Sequence, residues 1–300
     1  MGMKDILKSQ MKMSQKSVAG QIEQYLFRQI NKPNDRAIDV NAPSSAGGCL
    51  RAAYYSRKQF EPDNPINPRT QRIFDNGTKV HERLQGYLLD MNLLIMDEVP
   101  LINDEYKIQG HTDGYLDFDD EVAILEIKSI NDNQFSQLKD AKPEHKCQGL
   151  IYLYCAEERR KFLKNTYRTG AQFRRSEAER AKYFERHYLH MKDGSKYTRK
   201  EKIAKEVELN LISDDVLFGY DKPVSKVVFL YENKNNQEFK EFTVVLNRKT
   251  QSILDSLLQG YTDLNKFCKD DVVPPRDKNA TSKSCGCCTW CDFKHRCWVV

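Results

Sequence analysis

Alternation of apolar and polar positions predicts strands in two parts of the chain. YKIQGHTDGYLDF (106–118) alternates around Gly110 and Asp113, and VAILEIK (122–128) is an aliphatic, β-branched run of the kind a largely buried strand carries. Only Asp119, Asp120 and Glu121 lie between them, so the two runs predict a hairpin or tight meander. Further along, VSKVVFLYEN (224–233) and EFKEFTVVLN (238–247) meet through the turn residues KNNQ and predict a second hairpin.

Helical spacing occupies most of the rest. It predicts helices over VAGQIEQYLFRQI (18–30), CLRAAYYSRKQF (49–60) and 69–94, the last with Ile73, Val80, Leu84, Tyr87, Leu88 and Met91 on its apolar face. A polar helix is expected over 131–142, ended by Pro143, and a second begins with EHKCQGLIYLYCAEE. Residues 250–267 predict a helix with Ile253, Leu257, Leu258, Tyr261 and Leu264 on one side. Strands near 97–129 and 224–247 with helices between them imply an α/β fold, a central mixed β-sheet flanked by helices.

Period-two geometry puts Glu126 and Lys128 on one face of their strand and Leu125 and Ile127 on the other. An antiparallel neighbour carrying Asp113 on the polar face brings two carboxylates to one hard divalent cation, which oxygen ligands suit. Such a cation activates water and offsets charge building on a phosphate, and Lys128 is placed to hold the water or the phosphate. An E-x-K triplet alone is an ordinary cross-strand ion pair. Its surroundings give it meaning here.

G-x-x-D-G followed by hydrophobic-E-I-K-S resembles motifs II and III of the PD-(D/E)xK nuclease superfamily in its RecB-like branch. F-x-x-G-x-x-x-H-E, ending on His81 and Glu82, is similar to motif I, and the string H-x-x-Q-x-x-x-Y, from His145 through Gln148 to Tyr152, resembles the family's Q-x-x-x-Y motif. The resemblance implies a restriction-endonuclease-like core that hydrolyses DNA phosphodiesters with magnesium or manganese. It gives catalytic roles to Asp113, Glu126, Lys128, Gln148 and Tyr152. His81, Asp113, Glu126 and the Ile127 backbone carbonyl become the metal ligands.

Of nine cysteines, five fall within 285–297, and no export signal precedes them, which favours metal or cluster ligation over disulfides. C-x-R-x-x-Y-Y from Cys49 and C-x2-C-x5-C over Cys288, Cys291 and Cys297 resemble the iron-sulfur nucleases, the AddB-type subunits and the cluster-bearing exonucleases of CRISPR adaptation. In them one upstream cysteine and three C-terminal ones hold a [4Fe-4S] cluster that staples the chain ends. A local set using Cys285 or Cys287 as fourth ligand, with zinc in place of iron, stays open.

With 300 residues, 39% of them hydrophobic, the chain can build a sizeable core. No apolar run approaches the roughly 20 residues of a membrane span, and the start MGMKDI is polar, so a soluble, cytoplasmic protein is expected. The net charge of +5 is unevenly spread: residues 159–202 hold fifteen Lys or Arg against five Asp or Glu, an excess of ten, interleaved with aromatics. That mixture suits phosphate contacts and base stacking.

The expected organisation is an N-terminal helical extension (1–45) and a nuclease domain (46–300) with a basic helical insertion (159–222) and the cysteine-rich segment (285–297). The expected function is a metal-dependent DNA exonuclease in recombination, repair or replication, with DNA and a recombination or replication protein as partners. By analogy the resemblance extends to free-standing nucleases of phage or plasmid origin. The alternatives are a structure-specific or nicking endonuclease on the same site, and a non-catalytic DNA-binding or inhibitor protein.

Overall fold

The structure, a computed structural model, describes residues 17–32, 37–118, 121–166 and 223–299. Five strands, β1 (Leu94–Asn103), β2 (Ile108–Phe118), β3 (Glu121–Ile130), β4 (Val224–Asn233) and β5 (Phe239–Val245), form one sheet in that spatial order. Neighbours are antiparallel except β3 and β4, which run parallel. Helices α1 (Val18–Ile30), α2 (Leu50–Arg57) and α3 (Pro68–Asp90) precede the sheet. The crossover a parallel pair requires contains α4 (Asp132–Gln137) and α5 (Pro143–Thr166), and α6 (Arg248–Asp270) and α7 (Lys294–Val299) follow β5. The basic insertion lies, from 167 to 222, outside the described residues, as do 1–16 of the N-terminal extension. No described helix is long and apolar enough to cross a membrane.

Burial explains why β3 reads as a continuous apolar run. Val122 and Ile124 join Leu150 and Ile151 of α5, Phe229 and Tyr231 of β4, and Leu254 and Leu257 of α6 in the main core. Ala123, Leu125 and Ile127 point the other way and pack with Leu84 of α3. A strand covered on both faces needs no alternation, and each fully buried Leu or Ile contributes about 2 kcal/mol.

Three helix expectations need correction. The polar helix over 131–142 stops at Gln137, because its next backbone bonds are taken elsewhere. Lys240 Nζ of β5 donates to the carbonyls of Phe135 (2.6 Å) and Leu138 (3.0 Å), and the Lys142 amide donates to the Tyr231 hydroxyl at 3.1 Å. A continuing helix would have joined Leu138 O to Lys142 N. On α3 the sheet covers the stripe Val80, Leu84, Leu88 and Leu89, leaving Ile73, Tyr87 and Met91 exposed, while α1 is tied alongside by Arg72 and Glu23 at 2.5 Å. On α6 the buried face begins at Leu254, and Ile253 is exposed.

Candidate active site

The β2–β3 ladder runs from Phe118 opposite Glu121 to Gly114 opposite Leu125 and ends there, one step before Asp113 would face Glu126. Both glycines of G-x-x-D-G have steric reasons. A Cβ on Gly114 would stand 2.5 Å from Leu94 Cδ1 and 2.7 Å from the Met96 carbonyl oxygen, and one on Gly110 would stand 2.7 Å from Pro43 Cδ. The close approach of β1 and of the turn at Pro43–Ser45 therefore admits no side chain at either position.

Where the strands part, the Ile127 amide donates to Asp113 Oδ2 at 2.6 Å. The other carboxylate oxygen lies 3.0 Å from His81 Nδ1. Four residues along α3, Gln85 Nε2 donates to the Asp113 carbonyl at 2.7 Å. The hydrogen bond assigns the His81 proton to Nδ1 and leaves Nε2 to accept. Burial pulls the His81 pKa down, but the hydrogen bond and charge of Asp113 outweigh it, and the net shift is upward.

Glu126 is 2% exposed, with Lys128 Nζ 2.7 Å from its Oε2. Lys128 also donates to Gln148 Oε1 at 3.1 Å; Gln148 Nε2 donates to the Tyr152 hydroxyl at 2.9 Å, which donates to the His111 carbonyl at 2.7 Å. Every member of this chain has a defined direction, which fixes the Gln148 amide and aims the lysine at Glu126. Burial first, and then the charge of Asp113, push the Glu126 carboxyl up to about 8, although Lys128 pulls the other way. A buried carboxylate beside a half-buried one that repels it is a donor set a divalent cation satisfies, since its charge favours both anions.

The structure thus gathers His81, Asp113, Glu126, Lys128, Gln148 and Tyr152 from α3, β2, β3 and α5 into one network. Ile127 enters it through its amide.

Cys49, the N-cap of α2, lines one pocket with Cys288, Cys291 and Cys297. Arg51 and Lys294 share that lining. Arg51 reaches across to the Pro274 carbonyl at 2.6 Å and lies 3.8 Å from Cys297 Sγ. Beneath, Tyr54, Tyr55, Leu264, Phe293 and Cys297 form a small core joining α2 and α6 to the C-terminal cysteine segment. Burial raises the Cys291 pKa, with smaller pushes from Cys49, Cys288 and Cys297.

A tighter group overlaps this one. Cys285, Cys287 and Cys288 lie close enough to hold a metal ion, with Sγ atoms 2.8 Å apart for the first pair and 3.9 Å for the second. Thiolates on a single zinc, each at about 2.3 Å, stand about 3.8 Å from each other, whereas a four-iron cluster gives each thiolate its own iron and spreads them. Among the described residues the trio Cys285, Cys287 and Cys288 is the group with metal-holding geometry, and Cys288 also lines the pocket with Cys49.

Three contributors went unassigned in the sequence. Gln85 could have been found four residues after His81, on the same helix face. His145 opens the string H-x-x-Q-x-x-x-Y but was given no role; its Nδ1 is 2.6 Å from the Tyr231 hydroxyl. Arg51 carried no signal beyond its place in C-x-R-x-x-Y-Y.

Fold and site define an α/β protein with a mixed five-stranded sheet, flanking helices and a C-terminal cysteine cluster that could bind metal. No family model matches the chain, and no curated protein matches it. Among solved structures, the crystal structure of SSO0001 aligns over 94% of this chain and 96% of its own, at 13% identity and a TM-score of 0.45.

Proposed function

We propose that this protein is a divalent-metal-dependent deoxyribonuclease of the PD-(D/E)xK type, RecB-like in its motifs, that degrades DNA from an end. The convergence of Asp113, Glu126, Lys128 and His81 on the point where β2 and β3 separate carries the reading.

Asp113, Glu126, the Ile127 carbonyl and His81 Nε2 would hold magnesium or manganese, the imidazole favouring manganese. Bound there, the cation supplies Lewis acidity toward a phosphate oxygen and a more acidic water. The remaining work falls to the protein. Lys128, steadied by Gln148, positions the attacking water and offsets charge on the phosphate. Tyr152, anchored on the His111 carbonyl, keeps Gln148 from turning. Cys49, Cys288, Cys291 and Cys297 would hold a [4Fe-4S] cluster, which when bound would tie α2 to the C-terminal cysteine segment as a structural staple.

End-labelled linear DNA and covalently closed circles incubated with the full, metal-loaded chain and manganese test this. Loss of linear DNA alone is expected. Nicking of closed circles would make the protein an endonuclease on the same site, and cleavage of neither would overturn the nuclease reading.

A further inference from the structure

Tyr231 is fully buried, and its hydroxyl accepts the Lys142 amide at 3.1 Å, the amide set free where α4 ends. The hydroxyl proton needs an acceptor of its own. Among the described residues the one in reach is His145 Nδ1, at 2.6 Å. Nδ1 therefore accepts, and the single ring proton resides on Nε2. Burial, then Lys128 and Lys142, hold the ring neutral by pushing its pKa down to about 3. Stacking fixes its plane, 19° from Phe229 and 30° from Tyr231.

Nε2, at the other edge of the half-exposed ring, has no partner among the described residues and is not a buried orphan. It presents a fixed N–H to solvent. His145, Gln148 and Tyr152 lie along one stripe of α5, and Gln148 holds Lys128. The exposed donor is thus the next position outward from the catalytic network. An N–H without accepting capacity suits an anionic oxygen better than a base edge with mixed donors and acceptors.

We propose, resting on the nuclease reading above, that His145 contacts the substrate: Nε2–H donates to a non-bridging phosphate oxygen of the DNA strand beside the scissile bond. Tyr231 is the positioning residue that keeps the proton on that nitrogen.

Ring-nitrogen NMR on the full chain with 15N-labelled histidine tests the tautomer. His145 should show the Nε2–H form, and Tyr231→Phe should give a mixture; an Nδ1–H form in the native protein would overturn the proposal. DNA affinity measured by anisotropy in calcium should fall about ten- to a hundredfold in His145→Ala, the loss expected for a hydrogen bond to a charged group. His145→Gln, whose amide nitrogen can reach the Nε2 position, should recover most of it, and KM should shift more than kcat. Unchanged affinity in His145→Ala, or equal loss in both variants, would refute the contact. If the native protein binds DNA without cleaving it, the nuclease reading fails, while the same affinity comparison still decides the role of His145.

Discussion

The Asp113 carboxylate takes the Ile127 amide at 2.6 Å, so one side chain stands in for the β2 backbone at the step where the ladder ends. The catalytic candidate is thereby also the cap of an open strand pair, and its two duties can be separated by substitution.

Asp113→Asn keeps an acceptor for the amide and removes the charge. Cleavage should fall by at least about a hundredfold with little change in melting temperature. Asp113→Ala strips the acceptor as well and should cost about 1–3 kcal/mol of stability in addition. Single-turnover cleavage and thermal melts of the two variants check this. Near-normal cleavage by Asp113→Asn at saturating manganese would remove the residue from the site.

The raised Glu126 carboxyl has a consequence for stability. Between its ordinary pKa of 4.5 and its folded value of about 8, the folded state holds the proton more tightly than the unfolded chain. This contribution is therefore full below about 4.5 and is lost as pH rises through 8. His81, also raised, acts in the same direction. In chelator the melting temperature should fall between pH 5.5 and 8.5, Glu126→Gln should flatten the fall, and manganese should restore most of it at the alkaline end. Identical slopes for native protein and Glu126→Gln would exclude Glu126 as the origin.

Arg83 reaches across the sheet end to Glu232, whose carboxylate is buried, making contacts of 2.8 and 2.6 Å. Removing the partly exposed arginine leaves a buried anion unpaired. Arg83→Met should destabilise the protein by about 2 kcal/mol, and Arg83→Met with Glu232→Gln should recover most of that. Denaturant melts of the single and double variants decide it.

Legibility in the sequence followed how local each determinant was. The β4–β5 hairpin was readable because alternation and the KNNQ turn both lie within the segment. The helix over 131–142 was misjudged because its termination depends on Lys240 and Tyr231, about a hundred residues away. The apolar arc of α3 was visible, but which stripe the sheet covers is a property of the assembled layers. Motif spacing put Asp113, Glu126 and Lys128 forward. It could not show that His145 is locked by Tyr231, a partner on a different strand.

The two overlapping cysteine groups predict different losses. For a cluster on Cys49, Cys288, Cys291 and Cys297, Cys49→Ser should remove about four irons, the brown colour and much stability together, while Cys285→Ser and Cys287→Ser stay mild. For a single ion on the local trio, Cys285→Ser or Cys287→Ser should abolish metal content and Cys49→Ser should leave it. Elemental analysis of anaerobically purified variants distinguishes them.

The junction between α2 and the cysteine segment also sets a schedule. Arg51 and Cys297 are 246 residues apart, so at ordinary ribosomal speed α2 waits roughly ten to fifty seconds for the partner that covers it. During that interval Tyr54 and Tyr55 lack Phe293, and the thiol of Cys49 is open to oxidants and stray metals. For the proposed cluster to form on Cys49, that thiol has to stay reduced until translation has passed Cys297.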